Sequence, residues 1–586
     1  MKKTILYLIS FTLILTSCKP EFDAPPERRE DFIPNSTTSA EIQETVDATN
    51  YSDSTTADAT GYIEADLYEN FTAEGTVVIS LNGTSAQATS FEGEISSEDV
   101  SIIQVENSLE DETAAGLEIQ YKGKSKIKYI LSGDYAGTVL IKNKKSDAAV
   151  VLDNASITSD NGAGPALRFS SEKRTFIVIP SGTTNTLTDT RLLNQTSTMY
   201  DDKKGSVYSK GAIIFTGETS SAAGGTLNII NTGYKHAVYS KDYIRIANLS
   251  LNITVKGTTG RDCIRALNAV IIDNGTINLN ANGTIQDDES NAIRVDGEDA
   301  DEDDMTVEYT AGAGFIIING GNLTINTVAK GITAHWKSAK SVIGNAAYTE
   351  SANNSLLCES LLKDTTATVP DPYVQINGGT INITTTGEPY EGRTDDDPSC
   401  SPEGIEAKGN LTINAGTISL NCTDDAINAG GNVVINGGAI YAYSTKNDAI
   451  DANGSNGITI NGGVIVAIGL NIPECAFDCD QNPLTINGGT LIGLGSSNYT
   501  SPKSGKQKTI VANSRSLGSA GTSFAIVDQN SNPAFVYTLP SKTGEVAIIS
   551  SPELKADVTY SIKTGVTVSG GTKFHNLYTT LPDVSL

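Results

Sequence analysis

The chain has 586 residues, a formal net charge of −28, 19% charged and 6% aromatic residues, and 55 glycines. The charge excludes a nucleic-acid partner, which would need a basic face, and suits a surface that binds cations or neutral sugars or simply stays soluble. The length exceeds one ordinary compact core, and the composition favours many short strands joined by Gly/Asn turns over helices.

The first seventeen residues, MKKTILYLISFTLILTS, combine two lysines with an apolar run from Ile5 to Leu15 that is too short for a membrane span. Leu15-Thr16-Ser17-Cys18 resembles a bacterial lipobox, which implies cleavage before Cys18 and acylation of its thiol. Residues 1–17 are expected to be a signal peptide. Residues 18–61, rich in Pro, Ser, Thr, Asp and Glu, are expected to be a lipidated disordered tether. The early acids Glu21, Asp23, Glu27, Glu30 and Asp31 resemble the outward sorting signal of some Bacteroidota lipoproteins. The expectation is a monomer attached to the outer membrane, at the cell surface, through lipid on Cys18. Beyond the tether the expected divisions are an N-terminal β region at 62–135, a repeat domain at 136–515 and a C-terminal β region at 516–586.

The repeat shows in two registers. Ile-Asn-Gly/Ala-Gly units place Asn319, Asn377, Asn414, Asn436, Asn461 and Asn487 at intervals of 58, 37, 22, 25 and 26. A second marker, the residue before a small-apolar pair, falls at Glu403, Asp425, Asp448 and Glu474, at intervals of 22, 23 and 26. It continues backwards through Lys330, Asn291, Asp262, His236 and Gly205. Two markers in step imply a constant circumference of about two dozen residues. A propeller blade would be longer. A leucine-rich repeat would place Leu at fixed offsets, and calcium-binding nonapeptides would show a nine-residue glycine pattern. The period fits an all-β parallel β-helix with three short strands per rung, inward Ile, Val and Ala, Asn-Gly corners, and loop insertions at about 336–372 and 388–402.

In that register Glu403, Asp425, Asp448 and Glu474 form one column, about 4.8 Å from rung to rung. Each like-charge contact costs about 1 kcal/mol in water and more near protein, so the column needs protons or cations. Three residues on come Glu406, Asn428 and Asp451, and Asp424 adjoins Asp425. Carboxylates among Asn amides and carbonyls suit calcium, with Glu403, Asp424, Asp425, Asp448 and Asp451 as candidate ligands. The mixed charge of His236, Asp262, Asn291 and Lys330 confines that site to the C-terminal rungs. The acid runs Asp299–Asp304 and Asp395–Asp397 read as solvated loops. Cys400 and Cys422, 22 apart, predict a disulfide; Cys475–Cys479 and Cys263–Cys358 are further expected pairs.

GTTNTLTD (Gly182–Asp189), GYKHAVYSKDYIRI (Gly233–Ile246) and the INGGTI units together resemble a family of secreted carbohydrate-binding β-helix proteins related in fold to pectate lyases. The resemblance runs from about Gly75 to Ile562. It implies a right-handed parallel β-helix, bound calcium as cofactor, and polysaccharide as partner, cellulose or pectic acids among them. Tyr390, Tyr441, Tyr443 and Trp336 are the candidate sugar-stacking residues. The lyase relatives cleave uronic polymers, and Lys446, Arg393 and Lys408 are the basic residues near the acid ladder that such an activity would draw on. A passive adhesin is the third possibility. No Ser/His/Asp or Cys/His constellation is present, and the three histidines, His236, His335 and His575, are too scattered for zinc.

Overall fold

The computed structural model describes residues 61–585 apart from 107–114, 161–163, 192–203, 220–222, 234, 258–259, 284–289, 297–313, 336–371 and 391–399. The lipobox and tether, Trp336, Arg393, Cys358 and the two acid runs lie outside the described residues. The chain divides into units 1–45 and 46–586, and every described residue belongs to the second.

The protein is all-β and its sheets are largely parallel. Three short strands recur per repeat: Ile405–Ala407, Leu411–Ile413 and Thr417–Cys422, then Ile427–Ala429, Val433–Ile435 and Ala439–Ser444, then Ile450–Ala452, Ile458–Ile460 and Val464–Gly469. Each pairs in parallel with its counterpart in the next repeat, so Ile405, Ile427, Ile450 and Phe477 stack in register. Alternation decides what lies inside. Ile418, Leu420, Ile440, Ala442, Ile465 and Ala467 point inward and are fully buried, while the residues between them face outward. Small and branched apolar side chains therefore stack on one another along a continuous core.

The corners are fixed by the Asn-Gly marker. Asn377, Asn414, Asn436, Asn461 and Asn487 each donate Nδ2–H to Oδ1 of the asparagine one repeat earlier, at 2.8–2.9 Å, beginning from Asn319. The glycine two residues on takes a left-handed conformation, φ 91° at Gly438, where an added Cβ would meet the Gly416 carbonyl oxygen at 2.8 Å. Spacing and identity at this corner are thus one requirement.

Other segments cover the stack. The N-terminal stretch around Ile63, Tyr68 and Phe71 packs on the outer face of Phe176, Ile214 and Ile271. There buried Asp66 accepts from Arg174 Nε and Tyr243 Oη, each at 2.5 Å. At the other end an antiparallel sheet, including Ser523–Asp528 and Pro533–Thr538, packs its Phe524, Phe535 and Tyr537 on the outer face carrying Tyr441, Val466 and Ile492.

Among the described residues the predicted Cys400–Cys422 and Cys475–Cys479 disulfides do not form, while Cys358, the partner expected for Cys263, lies outside them. Cys422, Cys475, Cys479 and Cys263 are buried free thiols. Cys422 points into the core and stacks on Ser444. The strand one repeat earlier ends at Thr385, not at Cys400. Cys400 sits instead on an antiparallel bridge to Tyr390, where an insertion rejoins the stack. The interval of 22 between the two cysteines spanned that insertion boundary and did not measure a repeat. Cys475 and Cys479 flank Phe477–Asp478, and the Cys475 thiol bonds the Phe477 carbonyl at 3.3 Å.

Candidate functional site

The first strand of each repeat belongs to a 13-stranded sheet whose outward residues build one polar stripe. Tyr239, Arg265, Arg294, Thr333, Glu406, Asn428, Asp451 and Asp478 follow one another in register. The marker column predicted from the sequence runs beside it. Asp262 Oδ1 accepts from Asn291 N, Asn291 Oδ1 from Lys330 N, and Asp425 Oδ1 from Asp448 N, at 2.9–3.1 Å. Each side chain caps a backbone amide of the next repeat, which explains why acids and amides recur there.

The column departs from expectation at its last step. Asp448 Oδ1 accepts from Cys475 N at 2.5 Å, and Ile450 pairs with Phe477, so Cys475 and not Glu474 continues it. One residue of slip moves Glu474 off the ladder and brings Asp478 onto the stripe above Asp451. Asp478 went unnoticed in the sequence for that reason; the signal was Asp451 and Asp478 at matching positions before Ala452 and Cys479.

Charge balance differs along the stripe. At the N-terminal end Asp262 contacts His236 Nδ1 at 3.1 Å, and Asp296 is held by Arg265 and by Arg294 Nε at 2.5 Å. Burial opposes ionisation of Asp296, but the two guanidinium groups outweigh it and hold the carboxyl well below the usual range. Burial, aided by neighbouring arginines, pushes His236 and His335 down to about 4, so both are neutral. In the middle, Lys330 pairs with Glu403 and lies 3.3 Å from Glu406, which also pairs with Lys408 and accepts from Thr333 Oγ1 at 2.6 Å. Against the cost of burial, the two ammonium groups hold Glu406 low, while burial and the Glu406 charge push Glu403 up.

The C-terminal end has no such balance. Burial, then Asp424, Glu403 and Asp448, push Asp425 well up. Burial with neighbouring acids pushes Asp448 to about 7 and Asp451 to about 6. Asn428 Nδ2 bridges Glu403 at 2.8 Å and Asp425 at 3.1 Å, and Asn447 Nδ2 donates to Asp424 at 2.7 Å. Among the described residues no Lys or Arg pairs with Asp425, Asp448, Asp451 or Asp478. Ligand atoms of Asp448, Cys475 and Asp478 lie within 4.8 Å of one another. Asp478 also lines an open pocket of about 550 Å³ with Asp480, Gln481, Asn482, Asn498, Tyr499 and Thr500.

The predicted calcium ligands therefore divide. Asp448 comes together with Asp478, Asp425 caps the Asp448 amide from one repeat earlier, and Asp451 stands in register beside Asp478. Asp424 lies beside them, and Glu403 is drawn away by Lys330. The predicted sugar residues do not converge. Tyr441 is 4% exposed, stacked on Tyr443 and, at 3.9 Å between rings, on His575 of the C-terminal sheet. It packs a protein interface and offers no open ring face. Tyr390 is 37% exposed beside Cys400, remote in sequence and role from that stack. Lys446 pairs with Glu388 and Lys408 with Glu406, so neither ammonium stands open over the acids.

A family model described as carbohydrate-binding domain-containing protein matches residues 113–452, more than half of the chain. The chain belongs to this family. A solved structure described as the polysaccharide lyase-like protein from C. thermocellum, a gadolinium derivative, is similar at 16% identity. That match covers 54% of this chain and 95% of the other, with a TM-score of 0.30. No curated protein sequence matches.

Proposed function

We propose that the protein is a surface-anchored lipoprotein that binds plant-type polysaccharide, cellulose or pectic acid, on a right-handed parallel β-helix bearing calcium. Family membership supports carbohydrate as the partner. Every-third-strand parallel pairing supports the helix, and the strong preference for right-handed parallel connections supports its hand. The lipid anchor rests on the lipobox at Cys18.

The observation that carries the calcium is the unneutralised end of the stripe. Buried carboxylates with raised affinity for protons and no facing ammonium are either protonated or metal-bound. Hard oxygens of Asp448 and Asp478, which lie within 4.8 Å of each other, fit a divalent ion, with Asp451 in register beside Asp478 on the stripe, whereas Glu403 does not, because Lys330 already supplies its countercharge. The Cys475 thiol is committed to the Phe477 carbonyl, leaving oxygen as the donor type. Calcium there would supply the positive charge a uronate carboxylate needs to approach an acidic surface. Asn482, Asn498 and Tyr499 of the adjoining pocket offer hydrogen bonds to sugar hydroxyls.

The experiment is sedimentation of the purified protein with insoluble cellulose and with polygalacturonate, with calcium or a chelator. Retention on polygalacturonate that the chelator abolishes is expected. Retention on neither glycan ends the proposal; release of unsaturated sugar, seen by ultraviolet absorbance, would make the protein a lyase.

A further inference from the structure

A second face of the stack is chemically unlike the charged stripe. It is built by the strands Thr184–Asp189, Thr226–Asn231, Ser250–Gly257, Thr276–Gly283, Asn322–Thr327, Thr380–Thr385 and Thr417–Cys422, all paired in parallel and in register. Positions one, three and five of each strand face outward, while Leu227, Ile253, Leu279 and Ile325 fill the core between them. Of these twenty-one outward positions ten are Thr, eight Asn, two Ser, and one is Ile230. The central row reads Asn228, Asn252, Asn278, Thr324, Asn382, Ser419.

None of the twenty-one is charged; Lys256, at position seven of the longer strand Ser250–Gly257, lies at the edge of the array. At the 19% charged residues of the whole chain, about four would be expected. An exposed sheet face kept only for solubility carries Lys and Glu, which also suppress unwanted pairing. Asn is moreover a poor strand former. Strand propensity and solubility therefore do not account for the composition.

The hydroxyls are a second observation. Threonines at the corners spend theirs inside the fold: Thr183, Thr232, Thr327 and Thr423 donate to backbone carbonyls at 2.6–3.2 Å. The ten threonines of the array make no side-chain bond of this kind to any described residue. The asparagines align one another, Asn252 to Asn228 at 3.0 Å and Asn278 to Asn252 at 2.8 Å, which holds their amides in one orientation along the row. One repeat further the face turns apolar: Ala439 and Tyr441 stack on Thr417 and Ser419, and the C-terminal sheet covers them. Among the described residues the polar part is left open except at Ser419, which His575 reaches at 3.5 Å, and all of it lies within the family-matched residues.

The geometry points to this array as a docking surface for an extended, uncharged polysaccharide lying along the stack; this rests on the carbohydrate-binding reading and adds a face separate from the calcium stripe. Rows repeat about every 4.8 Å along the stack and roughly every 6.6 Å along a strand, and the first is close to the length of one sugar ring in an extended chain. Each Thr hydroxyl and Asn amide both donates and accepts, as each sugar hydroxyl does. Without aromatic platforms the contacts are individually weak and act through number, so long chains are held and short oligosaccharides are not. With no charge involved, retention is independent of chelator and little affected by salt.

The test uses microcrystalline cellulose as the uncharged probe and polygalacturonate as the charged one. Thr324→Lys with Asn382→Lys is expected to weaken cellulose retention at least tenfold, and Thr324→Val with Thr384→Val several-fold, at unchanged thermal midpoint. Thr412→Lys, the same change on a different outward face, is expected to bind as the unaltered protein does. Unaltered protein that binds neither glycan defeats the functional proposal and this one together. Unaltered protein that binds either glycan, with array variants that bind cellulose equally well, defeats only this one. Array variants that split a dimer in sedimentation velocity without changing cellulose retention would assign the face to a second copy of the chain and overturn the inference.

Discussion

The two ends of the polar stripe occupy the same positions on the same scaffold, yet one is neutralised from within and the other is not. Around Asp262 and Asp296 both buried carboxylates meet a guanidinium, Arg265 at each and Arg294 at Asp296 as well. Around Asp448 and Asp451 the neighbours are further acids. Asp262 and Asp296 are the more deeply buried, Asp451 being half-buried, so burial runs against the contrast and the countercharge accounts for it. A stack of repeats can therefore spend one outward row on internal ion pairing in one half and leave it open for a cation in the other. The same substitution, Asp to Asn, should then act with opposite sign at the two ends.

The largest effect is expected at the closed end. Asp296→Asn takes the carboxylate from the largely buried Arg294 and leaves Arg265 only Asp262 at 3.6 Å, and loss of one partner from a buried pair costs about 3–5 kcal/mol. Equilibrium denaturation should show that loss. A change below about 1 kcal/mol would mean that other groups neutralise the two arginines.

Asp448→Asn should do the reverse in calcium-free protein at pH 8. The carboxyl is pushed up to about 7, so ionising it in the fold opposes stability. An amide keeps an oxygen to accept from Cys475 N without that cost. A gain of roughly 1–3 kcal/mol is expected, from the worth of each pKa unit with allowance for relaxation. Calcium should raise the midpoint of the unaltered protein by mass action and leave the variant unmoved. A destabilised variant, or an equal calcium response in both, would remove the contrast between the two ends.

How far this contrast could be read beforehand depended on the register. The markers from Gly205 through Asp448 align as they stack, because each is tied to an inward residue of the short strand: Val207, Val238, Ile264, Ile293, Ile332, Ile405, Ile427, Ile450. The last step failed because Cys475-Ala476 imitates the small-apolar pair while the core position is filled by Phe477. Countercharges were less legible. Lys330 and Glu403 are 73 residues apart across insertions, and nothing local marks them as partners. Tyr441 looked available because outward positions alternate regularly, but a segment more than eighty residues downstream folds back over it.

The histidines give a smaller effect with a definite direction. Burial is the main cause that holds His236, His335 and His575 at about 4, against about 6.5 in an unfolded chain. Between those values the unfolded chain binds protons that the folded one refuses. Their contribution is complete above pH 6.5, shrinks as pH falls and is lost below about 4. Asp448 and Asp451, pushed up to about 7 and 6, take up protons in the fold over the same range and oppose this loss. The expected record is therefore the difference between two proteins: from pH 7 to pH 4.5 His236→Gln should lose less stability, or gain more, than the unaltered protein. An identical pH dependence in both would mean that the folded protein protonates His236.

The smallest expected effect is none, and it tests the register. A Cys400–Cys422 bridge would have contributed about 2–4 kcal/mol and would have been lost in reductant. Cys422 instead faces the core opposite Ser444, and burial pushes its thiol above the ordinary range, so it is a poor nucleophile for exchange. Dithiothreitol should leave the denaturation midpoint unchanged. A drop of a few kcal/mol, together with a cross-linked Cys422 peptide in a non-reduced digest, would mean that the strand ending at Thr385 is not its neighbour and that the acid column above it is misaligned as well.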